Sequence, residues 1–165
     1  MAINTFNAQL LGLYDLLAEA DAFQTWVAAA DATTAKDNIH LYRQDLPTQD
    51  NFAILAKDDQ WTWQRRLSGR GFVAGDPSSK ARLEFWRKVP EYTEAAIVEF
   101  LDDVASILAG MLDIHGGAGT ASEVIDNLQE IPHAMRDAGQ RPTYRFPIGS
   151  ERGYMIAFLV GRKNR

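Results

Sequence analysis

The stretch from Glu91 to Ile114, EYTEAAIVEFLDDVASILAGMLDI, decides the fold. Ile97, Phe100, Leu101, Val104, Ile107, Leu108, Met111 and Leu112 recur at steps of three and four residues, an apolar stripe along roughly six turns of α-helix. Glu99, Asp102, Asp103 and Ser106 fall on the other face. This pattern predicts a helix over about 91–114 that lies on a flat apolar surface. Pro90 suits a position at or just before its first turn, Glu91 and Glu94 suit the positive end of the macrodipole, and Gly116-Gly117 supplies a left-handed stop. The spacing points Phe100, Val104, Leu108 and Met111 toward a sheet containing Phe85 and Ile156, and leaves Val98 beside the acidic face.

Working outward toward the N-terminus, Phe6, Leu10, Leu13 and Leu17 mark one face of a first helix. Asp21 is placed to cap a second, shorter helix holding Phe23, Trp26 and Val27 and ending near Ala30. Ile39 to Arg43 is short and β-prone, and Phe52 to Ala56 makes a second strand. Lys57 to Gln60 has turn composition, so Trp61 to Leu67 is expected to fold back on that strand as an antiparallel hairpin. In the strand Arg82–Lys88, Leu83, Phe85 and Val89 face inward, and Arg82, Glu84 and Lys88 face out. Trp86 shares the polar side, where it packs under a loop, stacks on Arg82 or Lys88, or stands exposed as an anchor for another subunit.

Beyond the long helix, Val124, Leu128 and Ile131 stand at helical spacing before Pro132 interrupts, giving a short helix over 122–135 with an extended strand as the alternative. Thr143 to Phe146 alternates, and Tyr154 to Val160 is apolar on both sides. Such a run is a central strand covered on two faces, or one whose outer face a neighbouring subunit covers. The fold class is therefore α+β: a single domain over 1–165, with a mixed, mostly antiparallel sheet, an N-terminal helix pair and one long amphipathic helix on one face.

Composition bounds the function. The 165 residues are 46% hydrophobic and 24% charged, enough for one sizeable core. No run reaches the ~18 apolar residues of a membrane span and the N-terminus lacks a basic start, so a soluble, unexported chain in a reducing cytoplasm is expected. With no cysteine there is no disulfide framework, thiolate nucleophile or thiolate metal ligand. A net charge of −5 argues against general nucleic-acid binding, while Arg65-Arg66-Arg70, Arg87-Lys88 and Arg162-Lys163-Arg165 can form local basic patches.

No arrangement of residues carries catalysis. His40, His115 and His133 have no metal-ligand spacing, and His115 suits the negative end of the helix dipole. Glu99, Asp102 and Asp103 make a solvated face better than a pair of tuned carboxylates. Gly116 to Thr120 follows a helix instead of joining a strand to one, and Pro77 makes Gly75 to Lys80 a turn, so neither is a phosphate loop. No catalytic residue, cofactor or metal is expected.

The order of elements resembles small proteins of phage and prophage tail-morphogenesis regions, of the tail-terminator and head-to-tail joining type. The resemblance is carried by the helix with Leu10, Leu13 and Leu17, by Ala22 to Trp26, by Ile39-His40-Leu41 and by Phe52 to Leu55. Leu83-Glu84-Phe85 leading into the long helix and the strand Tyr154–Val160 complete it. It spans nearly the whole chain and fits least well over 122–139. It implies a mixed sheet flanked by helices and a ring of copies that caps or joins a tail tube, with other tail or head-completion proteins as partners. Trp86, Trp63, Arg65 and Arg87 are the residues expected at the interface. Two other functions remain open: a monomeric protein-binding module anchored by Trp61, Trp63 and Trp86, and a small hydrolase whose site assembles only in the fold.

Overall fold

The computed structural model describes residues 6–41, 47–57, 62–63, 66–68, 71–73, 77–78, 81–115, 123–131, 139 and 143–164. Three helices open the chain: α1 (Phe6–Glu19), α2 (Asp21–Trp26) and α3 (Ala32–Ala35), the last followed by a 3-10 turn over Lys36–Asn38. Asp21 is the first residue of α2 and not its cap, which is Ala20. The side-chain cap belongs instead to α3, where Asp31 accepts from the Thr34 backbone N–H at 2.8 Å and from its hydroxyl at 2.6 Å. These bonds to its charged form hold the Asp31 carboxyl below its ordinary range.

Strands β1 (Ile39–Leu41) and β2 (Asn51–Lys57) come next, then four short strands, β3 (Thr62–Trp63), β4 (Arg66–Ser68), β5 (Gly71–Val73) and β6 (Pro77–Ser78). β7 (Ala81–Val89) leads into α4 (Glu94–His115), and β8 (Glu123–Glu130) and β9 (Arg152–Asn164) close the chain. The main sheet has five strands in the order β1-β2-β7-β9-β8. It is mixed: β1 runs parallel to β2, and the β2–β7, β7–β9 and β9–β8 pairs are antiparallel. Helices packed on a mixed sheet make the chain α+β. Among the described residues no helix is long and apolar enough to cross a membrane.

Segment 123–130 is a strand, which corrects the helical reading of 122–135. β8 pairs with β9 but shifts register between Ile125 and Asn127. One inserted residue reverses the side to which every later side chain points, so the alternation that identifies a strand is lost and an accidental helical spacing remains. The expected hairpin of β2 with the following strand is also corrected, because β2 pairs with β7 and β1.

Each face of the sheet is filled from within the chain. Toward the helices point Ala53, Leu55, Leu83, Phe85, Tyr154, Ile156, Phe158 and Val160. Leu10, Leu13, Leu16 and Leu17 of α1, Phe23 and Trp26 of α2, and Phe100, Val104, Ile107 and Met111 of α4 cover them. Leu108 packs on this core part-buried, whereas Leu112, the end of the sequence stripe, is exposed. Gly110 of α4 faces Ala20 at the start of α2, where an added Cβ would make an ordinary contact at 3.7 Å. α4 starts later than Glu91 because Thr93 caps it, its hydroxyl accepting from the Ala96 N–H at 3.1 Å. The Tyr154 phenol donates to the Thr93 carbonyl at 3.0 Å while its ring stacks on Phe100, which fixes the start of α4 against β9.

On the opposite face, Phe52, Ile54, Trp86, Met155 and Ala157 form a second core with Ile148, and Ile131 and Phe146 pack against it. The segment before β9 is held there by backbone bonds from Phe146 to Gly153 at 2.9 Å and between Ile148 and Glu151. β9 is thus covered on two faces by its own chain, the first of the two readings open from sequence.

Candidate functional site

Trp86 and Arg87 are neighbours in β7, so their side chains leave opposite faces of the sheet. Trp86 is 5% exposed. It stacks on Phe52 at 6.0 Å with a 7° interplanar angle, meets Phe146 edge-on at 5.9 Å, and donates from Nε1 to Glu84 Oε2 at 2.8 Å. Of the readings open from sequence, Trp86 packed under a later segment is the one found and the exposed anchor is corrected: the charged residues on its side of β7 share that face with an apolar cover supplied some sixty residues later in sequence.

Arg87 follows Leu83 and Phe85 on the helix side. Its guanidinium lies 5.8 Å from the ring of Trp26 and 5.8 Å from that of Phe100. Nε donates to Asn51 Oδ1 at 3.1 Å, Nη2 donates to Asp103 Oδ2, and Glu99 lies 3.8 Å from Nη1. Asn51 in turn donates from Nδ2 to the Trp26 carbonyl at 2.7 Å, satisfying an acceptor at the end of α2. One cation thereby joins α2, β2, β7 and α4. This network corrects the reading of Asp103 as part of a solvated face, and it makes Arg87 a clasp inside the subunit. The signal available in sequence was parity, since an arginine on the inward face of a strand needs a partner.

Trp63 lies in β3, its backbone opposite Pro77; its side chain, Arg65, Trp61 and His133 lie outside the described residues, as do the turns at 58–60 and 116–120. His40 meets Phe52 edge-on at 5.7 Å, and burial pushes its pKa down. Among the described residues no group of three or more His, Asp or Glu side chains is placed to hold a metal ion. An open groove of about 370 Å³ at the end of β7 is lined by Asp50, Lys88, Ser150, Glu151 and Arg152. Its cations are engaged within the chain: Lys88 pairs with Glu151 at 3.0 Å and donates to the Thr48 carbonyl at 3.2 Å, and Arg152 donates to the Pro90 carbonyl at 2.9 Å.

Two stretches of the chain contrast in charge. β3 pairs with β6, and β4 pairs with β5, apart from the main sheet. The stretch 61–75 carries Arg65, Arg66 and Arg70 with Trp61, Trp63 and Phe72, and contains no Asp or Glu. On α4, Glu94, Val98 and Asp102 recur every fourth residue and all three are exposed, Val98 by 52%. Neither family models nor curated proteins match the chain.

Proposed function

We propose that this chain is a non-enzymatic structural subunit that works by self-association, of the tail-terminator or head-to-tail joining kind in phage or prophage particles. The observation that carries the reading is the division of labour within the subunit. Both faces of the five-stranded sheet carry cores built by the chain itself, while the acidic outer line of α4, with Glu94, Val98 and Asp102, is exposed and the stretch 61–75 is basic and aromatic-rich in sequence. Two such unlike patches on one molecule support a head-to-tail interface, which closes into a ring when its rotation allows. The element order that resembles tail-terminator proteins supports the particular setting. The same stretch also supports a second reading, a module that docks on a different protein.

The test is light scattering on the purified chain over a concentration series, alone and mixed with isolated tail tubes. Masses that rise above the 18.4 kDa of one chain, or retention of the chain on tube ends, support the subunit reading. A strict monomer at the highest concentration that also ignores tubes would remove it and favour the binding module.

A further inference from the structure

α4 carries two seams. Phe100, Val104, Ile107 and Met111 are buried in the core between the helices and the sheet. On the other side Ala95, Val98, Asp102, Ala105, Ala109 and Leu112 follow one another at steps of three and four residues, and all six are exposed. That alternation is the spacing by which one helix meets another over several turns. Five of the six are apolar, and the two large ones, Val98 and Leu112, are 52% and 46% exposed.

The outer seam is symmetric about its middle. Val98 stands seven residues before Ala105, and Leu112 seven residues after it. An antiparallel copy of the same helix that crosses at Ala105 therefore sets Val98 of each chain against Leu112 of the other. Ala105 meets its own counterpart, and a short side chain at the crossing lets two helices approach closely. Charge permits the pairing as well. The stretch 91–115 contains no Lys or Arg, and the exposed acids Glu94, Glu99 and Asp102 all precede Ala105. A two-fold axis there carries the acids of the two copies to opposite ends. The nearest like pair, Asp102 and its counterpart, is offset by roughly 9 Å along the helices, with the interhelical spacing to be added. That exceeds the Debye length of about 8 Å at physiological salt, so their repulsion is largely screened.

We infer that two free copies of this chain pair through the outer seam of α4, antiparallel, about a two-fold axis at Ala105. The inference rests on the self-association reading and names one contact of it. Residue i meets residue j and j meets i, so this contact closes at two copies. It covers Val98 and Asp102, which withholds the acidic line of α4 from a head-to-tail neighbour until the pair parts. One helix strip is a smaller contact than the roughly 1,200–2,000 Å² of a stable interface, and a carboxylate inside the seam weakens it further, so the pair is reversible.

The chain has no cysteine, so single introduced cysteines report the register. A disulfide needs Cα atoms within about 7 Å of each other. Ala105→Cys, Val98→Cys and Leu112→Cys are oxidised singly, Val98→Cys and Leu112→Cys are also oxidised as a mixture, and the products are separated on non-reducing gels, with circular dichroism checking each fold. Sedimentation velocity of the wild type and of Asp102→Ala over a concentration series runs beside them. The expected result is a wild type in monomer–dimer exchange, Ala105→Cys crosslinked to itself, and Val98→Cys crosslinked to Leu112→Cys severalfold more than to itself, because two copies of position 98 stand roughly 21 Å apart along the helices. Asp102→Ala should dimerise at lower concentration. A wild type that associates while position 98 crosslinks to itself as readily as to position 112, or while none of the three positions crosslinks, would overturn the α4 pair and leave self-association standing. A wild type that stays monomeric throughout would overturn both.

Discussion

Replacing Val104 by Asp tests the orientation of α4, on which the two faces of the subunit depend. Val104 is 2% exposed, in a row with Phe100, Ile107 and Met111, all buried. Removing its side chain from the core forfeits about 1.5–3 kcal/mol. The new carboxyl has no partner in that row. Held neutral at pH 7, against an ordinary pKa near ~3.9, it costs about 4 kcal/mol, and its unpaired polar atoms about 1–3 kcal/mol more. The total, roughly 7–10 kcal/mol, is comparable to the whole stability of an ordinary domain. Val98→Asp, one and a half turns away on the exposed line, loses little burial and adds like-charge neighbours at Glu94 and Asp102, about 0.2–0.5 kcal/mol each. Urea midpoints followed by circular dichroism separate the two cases. The Val104→Asp deficit also carries a pH signature. Burial raises the folded pKa of the new acid, so the deficit is smallest near pH ~4 and grows by about 1.4 kcal/mol per pH unit above it. Equal midpoint shifts for the two variants, or a Val104→Asp deficit that does not change with pH, would refute the orientation.

Trp86→Ala should cost about 3–5 kcal/mol, because it empties the second core, and should leave the oligomeric mass of the folded protein unchanged; denaturant titration beside light scattering reads both. A double-mutant cycle of Arg87→Met and Asp103→Asn should give a coupling of roughly 1 kcal/mol, a modest value because Asp103 is partly exposed to solvent. Gly153→Ala should destabilise, since the new Cβ would lie 2.5 Å from Ile148 Cδ1 and 3.1 Å from the Arg87 carbonyl oxygen; adding Ile148→Ala should recover part of the loss in thermal melts. The Tyr144 phenol, pushed up from 10.0 to about 12 by burial and by the Glu130 carboxylate that accepts its hydrogen bond, stays protonated in the folded chain after the unfolded chain has ionised. Stability should therefore fall as pH rises from 10.0 toward about 12. Ultraviolet titration should show the Tyr144 phenol ionising late, with Glu130→Gln moving it earlier.

The parts of the fold legible in sequence were those whose burial shows in the pattern of neighbouring residues. α4 and α1 announce themselves by spacing, and β9 by being apolar on both sides. The rest depended on contacts remote in sequence. Trp86 shares its side of β7 with Arg82, Glu84 and Lys88, and nothing near it reveals that Phe146 and Ile148 fold over that side. β8 hides its alternation behind a register shift. The turn composition at 57–60 suggested a short hairpin, whereas β2 finds its antiparallel partner in β7 and the intervening chain pairs with itself. Arg87 was legible as an interface candidate by charge, but its role as an internal clasp follows from Asp103 standing above it on α4 and Asn51 beside it on β2. Tyr144, at φ 53°, gave no signal in the sequence; a bulky residue in that region is held by its surroundings, here the bond to Glu130 and the backbone bond from Met155 to its carbonyl.

Self-association is tested most directly by native mass spectrometry of an equal mixture of 14N- and 15N-labelled protein over a concentration series. Complexes that contain both isotopic forms, growing in abundance with concentration, are predicted. A single species at the 18.4 kDa of one chain at every concentration would contradict the account.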